Sequence, residues 1–229
     1  MKNISFLINN LIAHRGFFDN ENGIPENSLL AFEKAIRNNY IIELDLHLLK
    51  DGRVVVFHDN NLKRMTGLDC KIKDCSYNEI KKLRLLNTNE KIPLFEEVLS
   101  LVSGKVTILI ELKYDVKVGK LENKVLEILK KYNGNYAIQS FNFRSVMWLK
   151  KNANEIVKGQ LVNNFFHEIF AIISQPDFVS YNINYIDRKI SKNTKEQVCI
   201  GWTIKNSQMY AKYVEFCDNL ICEKFDFLD

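Results

Sequence analysis

The amino-acid sequence predicts an α/β protein built as a compact (β/α)8 TIM barrel. Three observations predict it. Nine short apolar runs of β character alternate with amphipathic helical stretches. A turn signal makes one of the nine the return strand of a hairpin. The 229 residues then hold eight βα units, near the lower end of the usual size for such a barrel.

The runs, in order, are Leu11–His14, Ile41–Leu46, Val54–Phe57, Val106–Leu112, Tyr136–Phe141, Ile156–Val162, Phe178–Asn182, Val198–Ile204 and Asn219–Cys222. Asn27-Ser28 opens a helix over Leu29–Arg37. Ser76-x-x-Glu79 is a capping-box pattern before Ile80–Leu86. Asn142 precedes a helix at Val146–Lys150, and Asn206 one at Met209–Phe216. Val118–Tyr132 and Phe165–Ile173 complete the helices. Asp51-Gly52 lies between two apolar runs on a connection far too short for a parallel crossover, so Val54–Phe57 must return antiparallel.

Removing that strand leaves eight parallel ones. Residues 60–103 become an insertion with two helices after the second barrel strand. No Gly/Ser-rich linker divides the chain, so residues 1–229 are expected to form one domain. The last strand ends near Glu223, which leaves the eighth helix truncated or missing. Met1–Asn10, or a partner subunit in a homo-oligomer, is expected to cover the seam between the last strand and the first.

Composition narrows the function. With 9 Gly and 3 Pro the chain is neither collagen-like nor Pro-rich, and 46% apolar residues suit a packed core. At this length folding buries roughly 70–75% of the unfolded surface, so no staples are needed. Lys and Arg number 32 against 28 Asp and Glu, scattered and interleaved, for a net charge of +4. Nucleic-acid binding is therefore not expected. The five cysteines lack Cys-x-x-Cys spacing and read as reduced thiols of a cytoplasmic protein. No run of 18 apolar residues predicts a membrane span. The N-terminus runs directly into a candidate active-site strand, so a cleaved leader is not expected.

Barrel enzymes place their chemistry at the C-terminal ends of the strands. The polar residues expected there are His14-Arg15-Gly16, Glu43 and Asp45, His58-Asp59, Glu111 and Lys113, and Trp202. Glu43 and Asp45 are two apart and share a strand face, as do Glu111 and Lys113. Carboxylates inside apolar runs are expensive unless paired or metal-bound. Three of them without a Cys ligand suit a hard divalent ion, Mg2+ or Ca2+. Ion pairing with Lys113 or Arg15 is the alternative. His47 is expected to face solvent and His167 to pack or lie at the surface. Asp59 either orients His58 or caps a turn. Glu26 and Asn27 are expected to cap the first helix.

His14-Arg15-Gly16, Pro25-Glu26-Asn27-Ser28, Glu43-x-Asp45, Asp51-Gly52, His58-Asp59 and Glu111-Leu-Lys113 occur in that order. This set resembles the glycerophosphodiester phosphodiesterase family. Gln139-Ser140-Phe141 and Gly201-Trp202-Thr203 are similar to later family motifs. The last motif departs from the family's Thr-Asp ending and reads Cys222-Glu223.

The resemblance implies metal-dependent hydrolysis of small-molecule glycerophosphodiesters to glycerol 3-phosphate and an alcohol. It makes Glu43, Asp45 and Glu111 ligands of one divalent cation and His14 and His58 the acid-base pair. Arg15 and Lys113 would contact phosphate. Trp202, read from its strand position, points either into the barrel mouth, to stack on substrate, or into the core. Two imidazoles near neutral pH can take a proton from the attacking oxygen and give one to the leaving alkoxide. The expected route has the glycerol 2-hydroxyl attack phosphorus, closing a cyclic glycerol phosphate that water opens. A lysophospholipase D on the same barrel would need an apolar channel, for which Leu83, Leu85, Leu86, Leu94 and Phe95 are available, though helix packing explains them equally well. A non-catalytic polyol-phosphate-binding barrel is the remaining alternative.

Overall fold

The computed structural model describes residues 2–114, 117–186 and 197–223. Its strands are β1 (Ile12–Ala13), β2 (Ile41–Leu48), β3 (Val54–Val56), β4 (Ile108–Leu112), β5 (Tyr136–Ser140), β6 (Lys158–Val162), β7 (Phe178–Asn182), β8 (Val198–Ile204) and β9 (Asn219–Cys222). Eight of them, all but β3, pair in parallel, and β1 bonds both β9 and β2, so the barrel is closed. β3 pairs antiparallel with the far end of β2, Leu46 opposite Val56, which confirms the Asp51-Gly52 hairpin. β1 covers only the start of β2, at Ile41 and Ile42. Leu46 also faces Leu112 of β4, so β3 occupies the edge of β2 that β1 leaves free.

The period of two along each strand sorts the side chains. Ala13, Ile42, Leu44, Ile108, Ile110, Ile138, Leu220 and Cys222 point outward, into the main core beneath the helices. Ile12, Ile41, Leu109, Ala137, Val157, Phe178, Ile200 and Ile221 point inward and fill the lower barrel. Gly159 is required there: a Cβ on it would lie 2.3 Å from the Phe178 ring. Further up the same inward faces stand Glu43, Asp45, Glu111 and Gln139. The apolar runs thus carry carboxylates on one face and greasy residues on the other.

The helices are α1 (Leu29–Arg37), α2 (Lys63–Thr66), α3 (Tyr77–Ile80), α4 (Phe95–Val102), α5 (Lys120–Leu129), α6 (Phe143–Asn152), α7 (Phe165–Ser174) and α8 (Ser207–Tyr213). Asn142, Asn164 and Asn206 each accept a backbone N–H at the start of α6, α7 and α8. The expected helix over Ile80–Leu86 is corrected. The Ser76/Glu79 box forms, but α3 is one turn long. Leu85 N–H donates to Glu90 and Leu86 N–H to Met65, and these bonds draw the chain out of helix. Leu85 is buried and Leu83, Leu86 and Leu94 pack against the insertion's own core, so they line no channel; Phe95 belongs to the main core.

The N-terminal segment is also corrected. Leu7, in a 3-10 turn over Ser5–Leu7, is buried with the inward residues of the lower barrel. The Leu7 carbonyl accepts from Asn219, and the Phe6 carbonyl from Thr107. The segment therefore plugs the bottom mouth instead of covering the seam. On the outer side of the seam, Ala13, Leu220 and Cys222 are buried in one cluster with Phe32 of α1 and Tyr213 of α8. The expected truncation of the last helix concerns residues 224–229, outside the described residues.

Candidate active site

The C-terminal ends of the strands surround a cavity of about 390 Å³ lined by His14, Arg15, Glu43, His58, Glu111, Lys113, Phe141 and Trp202, among others. Asp45 lies just behind this surface, bonded to Lys113. Every residue expected at the site from sequence converges here.

Register places the acids. Asp45 of β2 stands opposite Glu111 of β4, and Glu43 lies one inward step below Asp45. One carboxylate oxygen from each of the three falls within 4.8 Å of the others, and all three residues are buried. Burial, with the charges of Asp45 and Glu111, drives the Glu43 carboxyl well above the usual range. Burial likewise raises Glu111, with Asp45 adding to the shift and Lys113 opposing it. Burial would raise Asp45 too, but Lys113 and Arg15 outweigh it and hold it below the usual range. The Lys113 ammonium lies 2.7 Å from Asp45 and 2.5 Å from Glu111. Burial opposes its charge, yet the two acids raise its pKa. The three carboxyls thus crowd one another in a buried site, and an all-oxygen donor set suits a hard divalent cation. Glu43, Asp45 and Glu111 could hold one.

The turn after β1 is set by two backbone contacts. Arg15 N–H donates to Glu43 at 2.9 Å, and the Arg15 carbonyl accepts from Asn27 N–H at 2.9 Å. Gly16 has φ +83°, and a Cβ there would lie 2.9 Å from Phe32 and 3.0 Å from Ala31. The Arg15 guanidinium bonds Glu26 at 2.7 Å, and its Nε, 3.6 Å from Asp45, has no hydrogen-bond partner. That leaves a buried donor at the cavity wall.

Each histidine is backed by a carboxylate. His14 Nδ1 lies 3.1 Å from Glu223, and His58 Nδ1 lies 2.7 Å from Asp59. Burial pulls the His14 pKa down and the Glu223 bond pushes back. Trp202 lines the cavity, with its indole N–H given to the Ser180 carbonyl at 2.9 Å.

Two expectations change, and one open alternative is decided. Glu26 and Asn27 do not cap α1, because Ser28 does, accepting from Ala31 N–H. Asn27 instead donates to Asp45 at 2.8 Å. His47 does not face solvent. β2 continues inward-facing through His47, the hairpin folds over it, and its Nε2 lies 3.2 Å from the His58 carbonyl. Asp59 orients His58 rather than only closing a turn.

Two contributors escaped sequence reading. Glu223 was visible only as a departure from a motif. Arg64, on a single turn of helix in the insertion, bonds both Glu26 and Asp59. No local pattern around it signals either contact.

Two carboxylate-backed imidazoles, two cations and an acidic triad around one cavity define the class: a hydrolase for an anionic ester. The sequence profile of the glycerophosphoryl diester phosphodiesterase family matches residues 14–213, and the chain belongs to that family. A glycerophosphodiester phosphodiesterase of Bacillus altitudinis is 34% identical over 170 residues, 69% of this chain and 68% of its own. The crystal structure of a glycerophosphodiester phosphodiesterase from Thermotoga maritima is 30% identical, with a TM-score of 0.76 over 93% of this chain and 94% of that one. An Oleispira antarctica phosphodiesterase, solved with the product sn-glycerol-3-phosphate, shares the fold at a TM-score of 0.85 and 23% identity, over 95% of this chain and 94% of that one.

Proposed function

We propose that the chain hydrolyses glycerophosphodiesters to glycerol 3-phosphate and an alcohol, with His14 and His58 exchanging the protons. The observation that carries this reading is the placement of both imidazoles, each backed by a carboxylate, on the cavity that also holds the acidic triad. A single divalent cation on Glu43, Asp45 and Glu111 would supply Lewis-acid stabilisation of charge on the phosphoryl oxygens.

The chain's own groups do the rest. Arg15 and Lys113 meet the phosphate, Arg15 by a planar fork and Lys113 as a point charge. One imidazole takes the proton of the glycerol 2-hydroxyl as that oxygen attacks phosphorus. The other protonates the departing alkoxide, so the P–O bond to the alcohol breaks as the ring closes. Water then opens the cyclic glycerol phosphate with the histidine roles exchanged. Glu223 and Asp59 fix the ring orientations that both steps need, and Trp202 offers a flat wall to the substrate. The same reading places the enzyme in the cytoplasm, which its free cysteines support.

The test is turnover of glycerophosphocholine with and without EDTA, beside an analogue lacking the 2-hydroxyl. The expected result is EDTA-sensitive hydrolysis and a much slower analogue. EDTA-resistant turnover would overturn the metal assignment, and equal rates would overturn the cyclic route.

A further inference from the structure

The helix α7 turns its large apolar residues to water. At 100° per residue, Phe165, Phe166, Ile169, Ile172 and Ile173 fall within a sector of about 120°. Phe165 is 62% exposed, Phe166 68% and Ile172 72%. Its buried residues are the small Ala171 and Ser174. A helix that only covers a barrel has the opposite pattern, large apolar residues inward. Met147 on the adjacent α6 is exposed as well. Such a patch marks an interaction site.

Two observations say what it fits. The first is continuity with the cavity. Phe141 lines the cavity, and its ring centre lies 5.4 Å from that of His167 on α7. His167 lies 5.8 Å from Phe170, which stacks on Phe143 at 4.5 Å. This aromatic row joins the mouth to α7, whose first turn follows directly on the C-terminal end of β6. The second is charge. α6 carries Arg144, Lys150 and Lys151, all exposed, and no acid. Lys150 reaches Gln175 at the end of α7 at 2.7 Å. The acid of α7, Glu168, accepts from the Tyr185 hydroxyl at 3.0 Å. Apolar side chains flanked on the α6 side by cations suit a face that seats on an anionic lipid surface.

We propose that α7, with the exposed edge of α6, docks the protein on an anionic lipid bilayer. Phe165 and Phe166 enter the interface, Arg144 and Lys150 meet the headgroups, and the cavity opens beside the lipid. Substrate that arises at a membrane then reaches the histidines without crossing bulk water. This goes beyond hydrolysis and does not depend on it.

The experiment is co-sedimentation of the full chain with sucrose-loaded vesicles of phosphatidylcholine alone, or of equal phosphatidylglycerol and phosphatidylcholine. The wild type should sediment with the mixed vesicles and far less with phosphatidylcholine. F165S/F166S should weaken binding about tenfold, given the apolar area it removes, while turnover of soluble glycerophosphocholine stays unchanged. R144E/K150E should lose the preference for phosphatidylglycerol. A wild type left in the supernatant with both vesicles would overturn the proposal, as would a double variant that binds like wild type. So would a concentration-dependent dimer in light scattering that F165S/F166S abolishes, which would assign the face to a second copy. Failure of hydrolysis alone would overturn the proposed activity and leave the sedimentation result standing.

Discussion

Arg64 closes a two-point clasp on Glu26, with Nη1 3.0 Å from Oε2 and Nη2 2.7 Å from Oε1. The same guanidinium donates through Nε to Asp59 at 2.6 Å, and Asp59 holds His58. Glu26 in turn holds Arg15. A half-exposed arginine of the insertion therefore ties the imidazole on one wall of the cavity to the guanidinium on another.

Arg64→Ala should release both ends of this chain. A displacement of about 1 Å at a reacting group is enough for a loss of about 10²-fold. The expected loss in kcat/KM is of that order, falling on kcat more than on KM because His58 and Arg15 drift while the cavity persists. Arg64→Lys should recover only part, since an ammonium cannot span two carboxylates in a plane. Steady-state kinetics of the two variants checks this.

The clasp should also show in acid. Burial raises the Glu26 carboxyl, but the hydrogen bonds from Arg64 and the charge of Arg15 outweigh it and set the pKa at about 2, below the usual 4.5. A depressed carboxylate contributes stability above its unfolded pKa and loses it as pH falls through the folded one. The contribution, about 3 kcal/mol, should therefore be complete above about pH 5 and vanish towards pH 2. Denaturant midpoints across that window measure it, and Arg64→Ala should flatten the curve.

Glu223→Gln should move the pH dependence of the reaction. The Glu223 bond raises the His14 pKa against burial. With the carboxylate charge gone the pKa falls further, so the acidic limb that reports His14 should shift to lower pH. The rate on the plateau should also drop, because an amide oxygen holds the ring more weakly than a carboxylate does. A kcat/KM profile from pH 4 to pH 9 reads both changes.

Divalent cation should stabilise the protein after EDTA treatment. The triad's oxygens lie within 4.8 Å in a buried site, with Lys113 between two of them. Lys113→Met removes that charge and should destabilise the metal-free protein by about 3–5 kcal/mol. Thermal melts with added Mg2+ or Ca2+ should restore much of the loss. Asp45→Asn should weaken the metal response strongly, because it removes one of the three carboxylate charges.

Gly16→Ala should cost about 1–3 kcal/mol, from its positive φ and the contact its methyl would make with Phe32 and Ala31. Activity should fall further than stability implies, because the turn carries His14 and Arg15. Chemical denaturation beside an activity assay separates the two effects.

How much was legible depended on range. α1 was placed at Leu29–Arg37 because its capping serine and its apolar period are local. The hairpin was placed because Asp51-Gly52 states its own turn. Glu43, Asp45 and Glu111 were legible because a carboxylate in an apolar strand needs a reason to be there. The helix expected over Ile80–Leu86 stops after one turn because Glu90 and Met65 capture its backbone, and the periodicity of a segment does not register such bonds. The burial of His47 is not legible locally because it depends on the hairpin folding back over it.

The sequence by itself determined the alternation of strands and helices, the face of each strand that carries acid, and the motifs of the family. Those properties follow from side-chain period, turn chemistry and spacing over a few residues. Only the tertiary structure decided which distant groups meet. Glu223 reaches His14 across 209 residues of chain because β9 closes against β1. Arg64 joins Glu26 to Asp59 because the insertion folds back against the segments that carry them, and Leu7 fills the bottom because the barrel leaves it an apolar hole. Barrel closure brings residues into contact irrespective of their separation in sequence, and no local pattern records those encounters.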